Sequence, residues 1–439
     1  MTRSDRRQFL SDSGLAALAG AALLQRDAAA DTPAKTDPVP IGIIGPGGMG
    51  MSHVRLLAKN PEVRVAWICD VDDARLASAA EHVEKESGRK PETTKDLRKV
   101  LDDKSVAAVW IATPDHWHAP AAILACQAGK HVYVEKPCSH NLREGRLMIE
   151  TSEKTKRLIQ VGTQSRSTEG IQQAIARLRD GVIGEIVVAK AWNSQRRGNI
   201  GHSKPAAPPE GLDFDTWLGP VPAVPYRPNL LPGRWRWWYD FGTGDMGNDG
   251  VHDIDIARWG LGVETHPTRI AALGGKFFFD DDQQFPDTQT VVFEYHGLAG
   301  KYPKKQLLFE QRIWSPYVQE GFENGCAYYG TEGMMLLGKT GAYRLYGPKN
   351  KLIEEKTWGG PDLAAHHRNF LDGVRSGAKL NADIRINHFS TALSHLGNIA
   401  TRVSRTLEFD PASERLVGDA EADGLLKRSY REHWSTPKA

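Results

Sequence analysis

Three glycines and an acid give the first chemical signal in the chain. Gly45, Gly47 and Gly50 are spaced G-x-G-x-x-G in "VPIGIIGPGGMG", between an apolar run and the helix-like "MSHVRLLAKN". Asp70 closes the next apolar run, "VRVAWICD", 20 residues after Gly50. Glycines at these positions permit a tight turn and let backbone amides approach a pyrophosphate, while the acid takes ribose hydroxyls and repels a 2′-phosphate. Gly48 and Met49 fall in the same turn and share its role. The pattern predicts a dinucleotide, NAD rather than NADP, with Arg75 close enough to keep NADP open.

A second signal is "VYVEKPCSH", where Glu135 and Lys136 directly follow an apolar run. Charges at the end of a core strand are costly unless they are paired or used. A partly desolvated ammonium in that place can bind a substrate hydroxyl and exchange protons with it, which suits hydride transfer. Upstream, "VAAVWIATPDHWHA" ends another apolar run with Thr113, Pro114, His116 and His118. Ligands gather at the carboxyl ends of parallel strands, so Thr113, Pro114, His118 and Glu135 are expected beside the cofactor. For His116 and His118, capping or packing competes with catalysis.

Such a site needs a frame, and the chain supplies one. From Val39, apolar runs alternate with helical stretches of ten or more residues, the mark of a parallel sheet covered on both faces. Residues 39–160 are therefore expected to form a doubly wound α/β Rossmann domain. After "RLIQVGTQSR" the segments turn β-branched and aromatic, as in "GEIVVAKAWNS" and "DTQTVVFEYH". Residues 161–405 thus predict an α+β domain with a large open, mainly antiparallel sheet. Its helices at about 362–405 are expected to pack back toward the first domain, and 406–439 reads as a tail.

The N-terminus predicts export. Arg6 and Arg7 precede an apolar stretch from Gly14 to Leu24 and then Ala28–Ala30. That order of basic, apolar and small residues is a secretory signal over 1–30, too short to span a membrane, with 31–38 as linker. The paired arginines resemble the twin-arginine export signal and place the protein in the periplasm or otherwise outside the cytoplasm. Across 439 residues, 56 basic and 54 acidic side chains leave a net charge of +2, which gives no electrostatic case for nucleic acid. Cys69, Cys126, Cys138 and Cys326 show no metal-ligand spacing, and no metal is expected.

Upstream of a glycine-rich turn, "GRWRWWYDFGTG" brings Trp237 and Trp238 among arginines. Aromatic faces of this kind stack on sugars, or equally fill a core or an interface.

Taken together, "GIIGPGGMG", "CDVD", "IATPDHWHA", "AGKHVYVEKP", "GVIGEI", "GVHDIDIARW" and "NFLDGVRSG" resemble the glucose-fructose oxidoreductase / inositol dehydrogenase / rhizopine catabolism family, Gfo/Idh/MocA, over nearly all of 39–405. The resemblance implies that Lys136 is catalytic or orients the substrate, that a carbohydrate is the substrate, and that the second sheet mediates homo-oligomer contacts. The family's Asp-x-Gly-x-His-x-x-Asp motif resembles "NDGVHDID", with His252 as its histidine and Asn248 in the place of its first aspartate. An amide orients but cannot exchange protons, so the proton chemistry falls to His252 and Lys136. On a helix Asn248 and His252 share a face while Asp249 points elsewhere; Asp249, Gln164 and Arg166 complete the expected substrate contacts.

Export and a nicotinamide cofactor fit together only if the cofactor travels tightly bound and is recycled within its site. Two reactions do this: oxidation of one sugar with return of the hydride to a second carbonyl, and a glycosidase that oxidises C3 transiently, eliminates the aglycone and adds water. A sugar-binding remnant without activity is the third possibility, kept open by Asn248.

Overall fold

The computed structural model describes residues 37–438. The expected signal over 1–30 and most of the linker lie outside them.

The first sheet has six parallel strands in the order β3-β2-β1-β4-β5-β6: β1 Val39–Ile44, β2 Val63–Cys69, β3 Glu92–Thr94, β4 Ala108–Ile111, β5 His131–Val134 and β6 Ile159–Val161. Helices α1 Met49–Leu57, α2 Asp73–Ser87, α3 Leu97–Asp102, α4 Asp115–Gln127 and α5 Leu142–Thr155 cross between them. With both faces covered, the central strands read as continuous apolar runs, and β4 "AVWI" is buried throughout. The sheet order reverses between β1 and β4, and at that point the two strand ends diverge to leave a crevice.

Beyond α6 Glu169–Arg179 lies a mixed sheet of ten strands in the order β14-β13-β12-β11-β7-β10-β9-β8-β15-β16. It comprises β7 Ile186–Asn193, β8 Arg269–Gly275, β9 Thr288–Tyr295, β10 Lys305–Arg312, β11 Asn324–Gly330, β12 Met334–Gly338, β13 Tyr343–Gly347, β14 Lys351–Lys356, β15 Leu407–Asp410 and β16 Arg415–Val417. Every neighbouring pair is antiparallel except β7 with β10. Its core joins Ile171, Ala189, Phe293, Phe309, Tyr328 and Leu396 with side chains of further helices. Those helices are α8 Gly244–Asn248, α9 Gly250–Leu261, α11 Ile384–Val403 and α12 Ala420–Gly424, whereas α7 Phe214–Leu218 packs in a smaller cluster with Trp235 and Phe241, and α10 Leu363–Ser376 packs on the first sheet.

The chain returns to the first sheet late. Helix α10 lays Phe370, Leu371 and Val374 into the core that holds Trp110 and Tyr133, and the Val161 N–H donates to the Ala382 carbonyl at 2.9 Å. Residues 406–439, expected as a tail, instead supply β15, β16 and α12. Glu414, in the β15–β16 turn with a left-handed φ of 53°, accepts from His266 Nε2 and His388 Nε2 at 2.8 Å each and pairs with Arg146. That buried cluster fastens the hairpin to α11 and α5. Among the described residues no helix is long and apolar enough to cross a membrane.

Candidate active site

A cavity of about 480 Å³ opens at the crevice between β1 and β4 and runs under the second sheet's helices. Its floor is the glycine turn. Gly48 has φ of 51°, and the helix α1 that follows has no side-chain cap and no acid in its first turn, so no side chain competes with an anion at its N-terminus. Gly50 does not line the cavity: a Cβ there would stand 2.0 Å from the Gly45 carbonyl oxygen, so this glycine serves the close packing of turn on helix. Gly45, Gly47, Gly48, Met49, Asp70, Thr113 and Pro114 all line the cavity, and the buried Thr113 hydroxyl has no hydrogen-bond partner among the described residues. Asp70 sits at the end of β2, where burial pushes its carboxyl up to about 6 against the pull of the Asp72 N–H and Arg75. The residues fit a dinucleotide, with ribose at Asp70 and pyrophosphate at the turn.

The strand-end residues converge with them. His118 spans Thr113 O at 2.8 Å and Pro137 O at 2.6 Å, tying the β4 turn to the cis Lys136–Pro137 peptide. Glu135 is held by His53 Nε2 at 3.0 Å and Gln164 Nε2 at 2.9 Å. A Cβ on Gly162 would lie 2.4 Å from the Glu135 carboxylate, so the strut needs glycine opposite it. Lys136 reaches across the cavity and donates from Nζ to the Asn248 carbonyl at 2.6 Å. Burial lowers its ammonium's pKa, with Asp249 and Glu135 opposing.

His252 lines the same cavity, its pKa pulled well below the usual value by burial and by the nearby Lys339 and Lys136 cations. Its buried Nδ1 has no hydrogen-bond partner among the described residues. Asn248 accepts from Arg236 Nε at 3.0 Å on Oδ1 and donates from Nδ2 to Asp245 Oδ1 at 3.1 Å. The helical register expected through this segment breaks at Asp249, where α8 ends and α9 begins. Asp249 therefore does not point away: it lines the cavity with Asn248 and His252. Burial raises the pKa of its carboxyl, but Lys339, Lys136 and Arg197 outweigh that and hold it ionised.

Three of the expected substrate contacts lie off the cavity. Arg166 does not line it; its guanidinium forms a buried two-bond pair with Asp255 at 2.7 and 2.8 Å, because both groups are enclosed between the helices and need each other's charge. Trp237 and Trp238 do not line the cavity. Trp237 packs with Ile200, Phe279 and Ile313, and Trp238 bridges two apolar clusters, so these rings took the core role. The cavity takes their neighbours Trp235 and Arg236 instead, along with Trp217, Arg75 and Trp434. The 3₁₀ turn over Arg234–Trp237 decides which rings face in; alternation of Arg and Trp does not reveal it. Lys339 and Arg197, which fix Asp249, lie 90 and 52 residues from it and carried no local signal.

The chain matches two family models: "Oxidoreductase family, NAD-binding Rossmann fold" over 39–163, and "Oxidoreductase family, C-terminal alpha/beta domain" over 185–292 and 334–436. Curated relatives include an alpha-N-acetylgalactosaminidase of Shewanella oneidensis and a glycosyl hydrolase family 109 protein of Shewanella baltica. Each is 32% identical over 193 residues, 38% of this chain and only 42% of the relative's own length. Solved structures of similar fold include a levoglucosan dehydrogenase in complex with NADH and levoglucosan (18% identity, TM-score 0.63, 85% of this chain and 99% of that one). An aldose-aldose oxidoreductase from Caulobacter crescentus superposes with TM-score 0.64 at 17% identity over 85% of this chain and all of the other. With the nucleotide turn, Asp70 and Lys136 gathered at one cavity and both halves matched by its models, this chain belongs to the Gfo/Idh/MocA oxidoreductase family, with an NAD-binding Rossmann domain.

Proposed function

We propose that this chain oxidises a hydroxyl of a carbohydrate or polyol by hydride transfer, with an NAD that stays bound and is recycled in place. The observation that carries the reading is the meeting of Lys136 and His252 with the nucleotide turn in one cavity. Bound NAD supplies the hydride acceptor. The proton path belongs to the chain. His252, kept neutral by burial and by neighbouring cations, has ring nitrogens available to take a hydroxyl proton. Lys136 uses one donor on the Asn248 carbonyl and keeps others for the substrate oxygen, where its charge stabilises a developing alkoxide. Asn248 orients without exchanging protons.

A second reading is favoured by the relatives named as glycosidases. Transient oxidation at C3 makes the C2 hydrogen acidic; a base removes it, the aglycone leaves, water adds and the oxidation is reversed. Such a path needs no pair of carboxylates flanking the glycosidic bond.

The proposal includes twin-arginine export, supported by Arg6, Arg7 and the apolar stretch after them, and assembly into a homo-oligomer through the second sheet. Exposed apolar side chains there, Leu273, Tyr329, Leu352 and Ile353, support the second point.

The test is to denature the purified chain, identify and count the released nucleotide, and screen glycosides and aldose–ketose pairs with none added. Near one NAD per chain with an oxidised sugar product is the expected result. Hydrolysis without net NADH selects the glycosidase, and a chain that neither carries nor binds NAD or NADP overturns both. His252→Gln should retain its nucleotide and lose turnover by about 10²- to 10⁴-fold.

A further inference from the structure

The cavity has two ends. Lys136, Gln164 and His252 mark one; Asp70, Lys95 and Leu97 mark the other, and there the wall is completed by Trp434, from the far end of the chain. An acid at the end of β2 holds the adenosine ribose, so the adenine lies at this second end. We propose that Trp434 is the adenine-stacking residue of the site and that the segment Arg428–Trp434 is a clasp that slows release of the dinucleotide. The proposal rests on NAD being the ligand of this cavity, as read above.

The indole is presented for such a role. Arg98 lies over its ring at 4.5 Å from the centroid, with the His433 ring at 4.8 Å and Trp117 at 5.7 Å, so the plane is fixed while the ring still borders the cavity. A purine is recognised by stacking on an aromatic surface, and a cation beside that ring adds to the attraction.

The segment carrying Trp434 is anchored on both sides of the crevice. On the first domain, Pro120 lies inside α4 and has no N–H to give the carbonyl four residues earlier. That carbonyl, on His116, accepts instead from Arg428 Nη2 at 2.8 Å. Arg428 and the Tyr430 hydroxyl both bind the buried Glu144 carboxylate at 2.8 Å. On the proline-rich side, Arg431 donates from Nε to the Gly219 carbonyl at 2.6 Å and pairs with Asp215 at 2.5 Å. The clasp thus ties α4 and α5 to the Asp215–Gly219 segment beside the cavity.

Binding and release of NADH by the full-length chain, stripped of nucleotide, give the test through the cofactor's own fluorescence. Trp434→Ala should weaken NADH at least tenfold, mainly through faster release, with Trp434→Phe restoring most of the affinity. Reduced nicotinamide mononucleotide, which has no adenine, should bind wild type and Trp434→Ala alike. Unchanged NADH binding in Trp434→Ala overturns the proposal. So does equal weakening of both nucleotides with a lowered melting temperature, which would make Trp434 a packing residue. A chain purified without NAD that binds added NADH would end the carried-cofactor reading and leave this comparison valid.

Discussion

Asn248 stands where the family's pattern has aspartate, and its hydrogen bonds give the reason. Its amide donates to Asp245, a buried carboxyl whose pKa burial raises, and its Oδ1 takes Arg236. Asn248→Asp would replace that donor by a second acidic oxygen 3.1 Å from the first. The expected outcome is a loss of about 1–3 kcal/mol in stability, read as a lower denaturant midpoint, rather than a gain in activity. Asp70 makes a prediction of its own. Its carboxyl is raised by burial to about 6, so the form that accepts ribose hydroxyls prevails above that pH and is lost below it. NAD should bind more weakly as pH falls from 7 to 5, and Asp70→Asn should flatten the profile; titration calorimetry across that range checks both. At this scale the sequence displayed the strand-end residues well, because position at the end of a parallel strand is a local fact. Lys339, Arg197 and Trp434 were hidden because their places depend on contacts far along the chain.

The glycine turn and α1 show how much one element carries. Gly50 faces the Gly45 carbonyl, and Gly50→Ala forces turn and helix apart. It should abolish detectable nucleotide binding while the second sheet stays folded, an outcome that tryptophan fluorescence and NADH binding together report. Parallel strands, helices and the antiparallel texture of the second sheet were readable from period and composition, since each follows from which faces are covered. The segment from Arg234 through Leu261 was less so. A 3₁₀ turn places Trp235 rather than Trp237 at the cavity, and a break at Asp249 divides one expected helix into two and turns the carboxylate inward. Such breaks are set by tertiary packing, which periodicity does not record.

Across the whole molecule, buried histidines set an acid limit. Burial lowers His116 and His395 to about 3 and His131, His266 and His366 to about 4. The unfolded chain takes up protons at these groups near pH 6.5 and the folded chain does not, so stability falls as pH drops below about 6.5. Each histidine costs up to about 1.4 kcal/mol per pH unit over its window. Asp70, raised to about 6, and Asp253, raised to about 8, pull the other way and are outnumbered. Thermal melts from pH 7 to 4 should show a steep decline starting near 6; a flat profile would mean these rings take up protons while folded. The return of the chain to its first sheet also has a meaning in time. Strand β6 pairs with Ala382, and Phe370 closes over Trp110 and Tyr133, about 200 residues after that sheet is otherwise complete; at ribosomal rates this is roughly 10 to 40 s. During synthesis a half-built nucleotide domain therefore waits with an apolar flank uncovered, a natural site for a chaperone to hold.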